Sequence, residues 1–130
     1  MAADGVFAAV SVKPQLSVPA TAVVTVEAGK IALLTGAALY HCGTQSLYGE
    51  GTVAACADGY VELSTADAGR LQIEDGADVT VASSAGSVKL KARVSLRMPE
   101  GVAFAPYHFA ATPINQVWSG AAVTSVTISK

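Results

Sequence analysis

Between residues 87 and 98 the chain alternates without a break. Val88, Leu90, Ala92, Val94, Leu96 and Met98 fall on one side, and Ser87, Lys89, Lys91, Arg93, Ser95 and Arg97 on the other. Successive side chains of a strand point to opposite faces, so the pattern predicts one long half-buried strand with a basic outer face. Ala85-Gly86 supplies the hairpin turn before it, Pro99-Glu100-Gly101 closes it, and residues 78–82 alternate as a further strand. A strand of this kind cannot stand alone in water, which commits the chain to a sheet whose other strands must be found.

The rest of the chain supplies them. Residues 31–34 are a short apolar run ending at Thr35-Gly36, residues 60–63 form another strand, and residues 102–105 a third, stopped by Pro106. Order resumes over residues 122–129. Ser64 reads as the N-cap of a helix over residues 65–71, its hydroxyl placed to accept the Asp67 amide proton, with the Asp67 carboxylate in the favourable first turn. Asp75-Gly76 marks a tight turn. Residues 36–58, dotted with Gly43, Gly49 and Gly51, read as a long loop. Residues 1–30 carry Pro14 and Pro19 and read as a linker or N-terminal extension with one short strand over 20–26, leaving 31–130 as the domain proper. Six or seven strands and a short helix in so few residues predict a small β-barrel.

Composition narrows the function classes. The chain of 130 residues is 52% hydrophobic and 14% charged, against a usual charged share of about 25%. That fits one well-buried domain and excludes a disordered tail. A formal charge of −2 offers no basic balance for nucleic acid. No basic segment opens the chain as a secretory signal would, and the uncharged stretch 101–129 is broken by Pro106, Pro113 and Asn115, which argues against a membrane span. Cys42 and Cys56 form no disulfide scaffold and read as reduced, mostly buried thiols, with a single bridge between them left open.

Two irregular segments hold the chemically versatile residues. The first contains Tyr40, His41, Cys42, Thr44, Gln45, Ser46 and Tyr48; the second contains Phe104, Tyr107, His108, Phe109, Asn115, Gln116 and Trp118. Loops positioned by a rigid barrel are where binding chemistry sits, although aromatic loops also serve to plug barrel ends. His41, Cys42, Cys56 and His108 match no common zinc spacing, and no residue stands out to orient a Cys42–His nucleophilic pair, which leaves a free-standing hydrolytic barrel as the weakest reading. The Lys89, Lys91, Arg93 and Arg97 stripe reads as a solvated face that discourages edge pairing.

The order of these pieces resembles a known family. Ile31-Ala-Leu-Leu-Thr-Gly36 followed by Tyr40-His-Cys-Gly-Thr-Gln-Ser46, then Val61-Glu-Leu-Ser-Thr-Ala-Asp-Ala-Gly-Arg-Leu-Gln-Ile-Glu-Asp-Gly76 and Asp78-Val-Thr-Val81, then Pro99-Glu-Gly-Val-Ala-Phe-Ala-Pro-Tyr-His-Phe109 and Asn115, look like the molybdopterin dinucleotide-binding domain. That domain closes the catalytic subunit of many molybdenum and tungsten oxidoreductases. The resemblance implies a mainly β fold, a six- to seven-stranded double-psi β-barrel with one or two short helices. It implies cofactor-binding positions at Tyr40, His41, Thr44, Ser46, Tyr107, His108, Asn115 and Gln116, with no catalytic or metal-ligating residue in the domain itself.

The His41-Cys-Gly-Thr44 wording looks most like the C-terminal domain of the G-type subunit, the large iron–sulfur subunit, of bacterial NADH-quinone oxidoreductases (complex I). This implies a cytoplasmic domain, peripheral on the inner face of the membrane, whose partners are the upstream domains of the same polypeptide and the other subunits of the complex. Ala37 stands where many cofactor-binding members have an arginine, Trp118 where a threonine is common, and Glu50 is the one charged residue of the two loops. The expectation is therefore a structural or cofactor-binding-derived domain without chemistry of its own, with no cofactor in the isolated domain and molybdopterin guanine dinucleotide left open for the parent protein. The alternative is a functional domain holding molybdopterin guanine dinucleotide in a formate-dehydrogenase-like enzyme.

Overall fold

The computed structural model describes residues 25–40, 43–56, 58–120 and 123–130. Six strands close into one barrel: β1 (Ile31–Gly36), β2 (Tyr60–Ser64), β3 (Asp78–Ala82), β4 (Ser87–Ser95), β5 (Val102–Pro106) and β6 (Thr124–Ser129). Around the barrel they run in the order β1-β5-β2-β4-β3-β6. Two short helices, α1 (Glu50–Ala55) and α2 (Thr65–Leu71), and two 3-10 turns, Thr44–Tyr48 and Ile114–Val117, lie on the connections. The chain is thus the mainly β barrel expected, with six strands and both helices. The strand expected over 20–26 lies outside the described residues except for Thr25 and Val26, which belong to no strand, and most of the expected linker lies outside them as well.

Two parallel pairs define the topology. β1 lies parallel to β5, from Ala32↔Val102 to Gly36↔Pro106, and β2 parallel to β4, from Tyr60↔Lys91 to Ser64↔Ser95; the remaining pairs are antiparallel. Parallel neighbours need long crossovers: the one from β1 to β5 includes the first 3-10 turn and both helices, and the one from β2 to β4 carries α2 and β3. Val61, Leu63, Val79, Val81 and Val126 are fully buried inside, and Ile114 and Val117 of the second 3-10 turn join the same buried cluster. Among the described aromatics of the two irregular segments, Phe109 is buried, whereas Tyr40, Tyr48 and Trp118 are exposed.

Charge divides the barrel. β6, β1 and β5 are neighbours and carry no charged residue, whereas β2, β4 and β3 are neighbours and carry Glu62, Lys89, Lys91, Arg93 and Asp78. The uncharged half extends through its connections, because residues 31–49 and 101–129 contain no Asp, Glu, Lys or Arg.

β4 keeps the predicted alternation only through Ser95. Val88, Leu90 and Ala92 face inward and Lys89, Lys91 and Arg93 outward, but Leu96 is 90% exposed. Ser95 pairs with Ser64, the last residue of β2, after which the chain turns into α2. Past that point β4 has no ladder to follow, so the apolar residues at 96 and 98 never reach the core. Residues 36–58 also depart from the expected loop. The Thr52 hydroxyl donates to the Gly49 carbonyl at 2.8 Å and to the Ser46 carbonyl, tying the first 3-10 turn to α1. Since α1 buries no residue, it has no apolar stripe by which sequence could reveal it.

α2 forms as predicted and is anchored by an unusual group. The Ser64 hydroxyl accepts the Asp67 amide at 3.0 Å and donates to the Asp67 carboxylate at 2.7 Å. That carboxylate is fully buried and also accepts Arg70 Nη2 at 2.6 Å and the Gly101 amide at 2.7 Å. Burial alone would raise the Asp67 pKa, but the hydrogen bonds from Arg70, Ser64 and Gly101 and the Arg70 charge outweigh it and hold the carboxyl below its ordinary value. Gly101 sits in the left-handed region at φ 78°, where glycine is favoured, so the β4–β5 turn presents its amide to α2.

Candidate functional site

β1 and β5 end together at the same rim of the barrel. Gly36 is opposite Pro106, and the Tyr107 amide donates to the Gly36 carbonyl at 3.0 Å, so both irregular segments leave side by side. Beside this rim lies a cleft of about 410 Å³ lined by Leu33, Leu34 and Thr35 of β1, Ile114, Asn115 and Trp118 of the second irregular segment, and Thr124 of β6. This volume is within the range of small-ligand sites. Its lining is apolar side chains, two hydroxyls, a carboxamide and an indole.

The wall formed by the second 3-10 turn is held from behind by the β3–β4 hairpin. Ser83 Oγ donates to the Val117 carbonyl at 2.6 Å. Gly86 approaches the Gln116 backbone so closely that a β-carbon there would come 2.7 Å from its carbonyl oxygen. A long hairpin with a basic outer face therefore also sets the position of the cleft.

The residues nominated from sequence are distributed unevenly around this cleft. Asn115 lines it. Tyr40 is exposed on the turn after β1, Thr44 is exposed at the start of the first 3-10 turn, and Ser46 is buried with its hydroxyl donating to the Gly43 carbonyl at 2.7 Å. Tyr107 is half-buried against the core, its ring edge-on to His108 with centroids 4.3 Å apart; His108 is exposed at φ 76°. Gln116 is exposed behind the cleft, and His41 and Cys42 lie outside the described residues. Of residues 40–46 and 107–115, expected to form a single concavity, the cleft takes in Ile114 and Asn115, and the rest of its described lining comes from β1, Trp118 and Thr124. Trp118 is the residue sequence reasoning undervalued, a lone tryptophan three positions after a candidate binding asparagine and 66% exposed.

A second, shallower cleft of about 370 Å³ lies on the charged half, between the end of α1 and the outer face of β4. Cys56, a free half-buried thiol, and Tyr60, Asp75, Lys91 and Arg93 are among its lining. Two members of the basic stripe are engaged: Lys91 pairs with Asp78 at 2.8 Å, and Arg93 lies 3.7 Å over the Tyr60 ring. Burial raises the Tyr60 pKa; Arg93 opposes that shift, while Cys56 and Glu62 add to it. Among the described residues no group of three or more His, Cys, Asp or Glu could hold a metal ion, and no helix is long and apolar enough to cross a membrane.

Comparison with known proteins gives a consistent set of relatives. A family model described as the Molydopterin (molybdopterin) dinucleotide binding domain matches residues 31–129. The alpha subunit of an NADPH-Fe(3+) oxidoreductase from Geobacter sulfurreducens is 37% identical over 101 residues, covering 75% of this chain and 12% of that protein. The second G-type subunit of NADH-quinone oxidoreductase from Rhizobium meliloti is 32% identical over 124 residues, 90% of this chain and 14% of that protein. The alpha subunit of an F420-dependent formate dehydrogenase from Methanocaldococcus jannaschii is 36% identical over 70 residues, 54% of this chain and 10% of that protein. The chain therefore spans a small fraction of the length of these curated relatives. Among solved structures, acetylene hydratase from Pelobacter acetylenicus matches with a TM-score of 0.69 over 77% of this chain and 18% of its own, at 15% identity, a likeness of fold alone.

Proposed function

The chain belongs to the molybdopterin dinucleotide binding domain family, and from that premise we propose that it acts as the C-terminal domain of a G-type, large iron–sulfur subunit of NADH-quinone oxidoreductase, shaping and packing that subunit without chemistry of its own. The observation that carries this reading is the uncharged half of the barrel. Its segments expose Leu34, Leu39, Tyr40, Leu47, Tyr48 and Trp118. Interface cores are depleted in charge and enriched in aromatics, so this half suits contact with the other domains of a longer polypeptide and with neighbouring subunits. In this reading the domain lies on the cytoplasmic side and meets the membrane only through its complex. One relative named for NADH-quinone oxidoreductase and another named for formate dehydrogenase support an oxidoreductase parent.

The second reading is a domain that still holds molybdopterin guanine dinucleotide in a formate-dehydrogenase-like enzyme, with Tyr40, His41, Thr44, Ser46, Tyr107, His108, Asn115 and Gln116 as its binding positions. Thr35, Thr124 and Asn115 favour it, as neutral hydrogen-bonding groups grouped on one cleft. The same cleft fits the cofactor only in part. A heteroaromatic ring suits the apolar floor and the indole, but the described lining offers no cation to a diphosphate.

The purified chain tests the choice. It is expected to be colourless, inert with reduced dyes, and to unfold with the same cooperativity with and without chelator. A visible band that survives dialysis, or a fluorescent pterin released on acid oxidation, would overturn the structural reading.

A further inference from the structure

We propose that the cleft between β1 and residues 114–118 accepts an uncharged heteroaromatic group, such as the nucleoside end of a purine nucleotide, by stacking on Trp118, and discriminates against the phosphorylated forms. The proposal rests on the dinucleotide-binding ancestry argued above but concerns the cleft's own selectivity. Its basis is a disagreement between what such a family ligand carries and what this chain places around it.

All the described lining residues come from residues 31–49 and 101–129, the two stretches that contain no Asp, Glu, Lys or Arg. The floor is buried and uncharged, made of Leu33, Ile114 and Thr124. Thr35, Asn115 and Trp118 are exposed along the walls, offering a hydroxyl, a carboxamide that both donates and accepts, and a broad flat ring. Every base has a π-face, so stacking on an indole is tolerant of sequence and independent of charge. A phosphate entering the same space would exchange water for neutral donors, with no ion pair to offset the loss. The wall matters too. Ser83 ties the 3-10 turn to the β3–β4 hairpin and Gly86 backs it, so the neutral wall is part of the barrel's own packing.

Trp118 is the sole tryptophan, so its emission reports this cleft. Guanosine, GMP and GDP titrated into the full chain, with red-edge excitation and backbone amide shifts followed in parallel, separate the possibilities. The expected result is quenching by guanosine with amide shifts at Thr35, Asn115 and Trp118, an affinity about tenfold lower for GDP, equivalent to about 1.4 kcal/mol, and little salt dependence. Thr35→Arg, at an exposed wall position, is expected to invert the order in favour of GDP. Tighter binding of GDP by the unaltered chain, weakening with salt, would overturn the proposal while strengthening the cofactor-holding reading. No quenching by any of the three in the folded protein would overturn it too and leave the purely structural reading standing. Shifts centred on Lys89, Lys91 and Arg93 would overturn it as simple charge attraction.

Discussion

Replacing Asp67 with alanine removes an acceptor that three donors share. Arg70 is 49% exposed, so its guanidinium regains water and little is lost there. The Ser64 hydroxyl is buried and the Gly101 amide partly buried, and both would be left without this partner. Each stranded donor costs about 1–3 kcal/mol, and the loss separates α2 from the β4–β5 turn 34 positions away in the chain. We expect Asp67→Ala to cost about 2–6 kcal/mol, the sum of the two stranded donors, in a domain whose total stability is of order 5–15 kcal/mol. Asp67→Asn keeps one oxygen acceptor and should cost about 1–3 kcal/mol, while Arg70→Ala should cost under about 1 kcal/mol. Urea unfolding followed by far-UV circular dichroism measures all three.

The pH dependence follows from the direction of the Asp67 shift. Its folded carboxyl titrates below the ordinary value, so the folded state binds the proton less readily than the unfolded chain. The stabilisation is fully present above the unfolded pKa, about 3.9, and is lost as pH falls through the folded one. The gap between the unaltered chain and Asp67→Asn should therefore narrow below about pH 4. An Asp67→Ala loss under about 1 kcal/mol, or one matched by Arg70→Ala, would refute the claim that the buried carboxylate, rather than the surface ion pair, joins α2 to the turn.

Two further substitutions probe the barrel. Gly86→Ala drives a β-carbon to 2.7 Å from the Gln116 carbonyl oxygen, a backbone atom; it should destabilise by about 1–3 kcal/mol and shift Trp118 emission, and unchanged stability and emission would show that the hairpin does not hold the cleft wall. Leu96→Glu should change stability by no more than about 0.5 kcal/mol, whereas Leu90→Ala, in the same alternating series but buried, should cost about 2–5 kcal/mol; equal losses in calorimetry would mean that β4 extends past Ser95.

What sequence determined about this chain is what neighbouring residues decide among themselves. The Ser64–Asp67 cap needs only a hydroxyl and an amide three positions apart, and α2 runs over the predicted Thr65–Leu71. The β3–β4 hairpin needs only two alternating runs and a turn between them, and β3 runs over the predicted Asp78–Ala82. The family blocks were legible for the same reason, since each is a short contiguous motif. The end of β4 was not, because it depends on where β2 stops, some thirty positions earlier in the chain. α1 was not, because it buries nothing and is held by hydrogen bonds from Thr52 rather than by an apolar face. Only tertiary structure joined Thr35 of β1 to Asn115 and Trp118 in one cleft, and only strand order turned two uncharged stretches into one continuous half of the barrel. Periodicity records which face of a strand is buried; it carries no information about which strand lies next to it, and in a closed barrel of parallel and antiparallel pairs that adjacency is what makes the site.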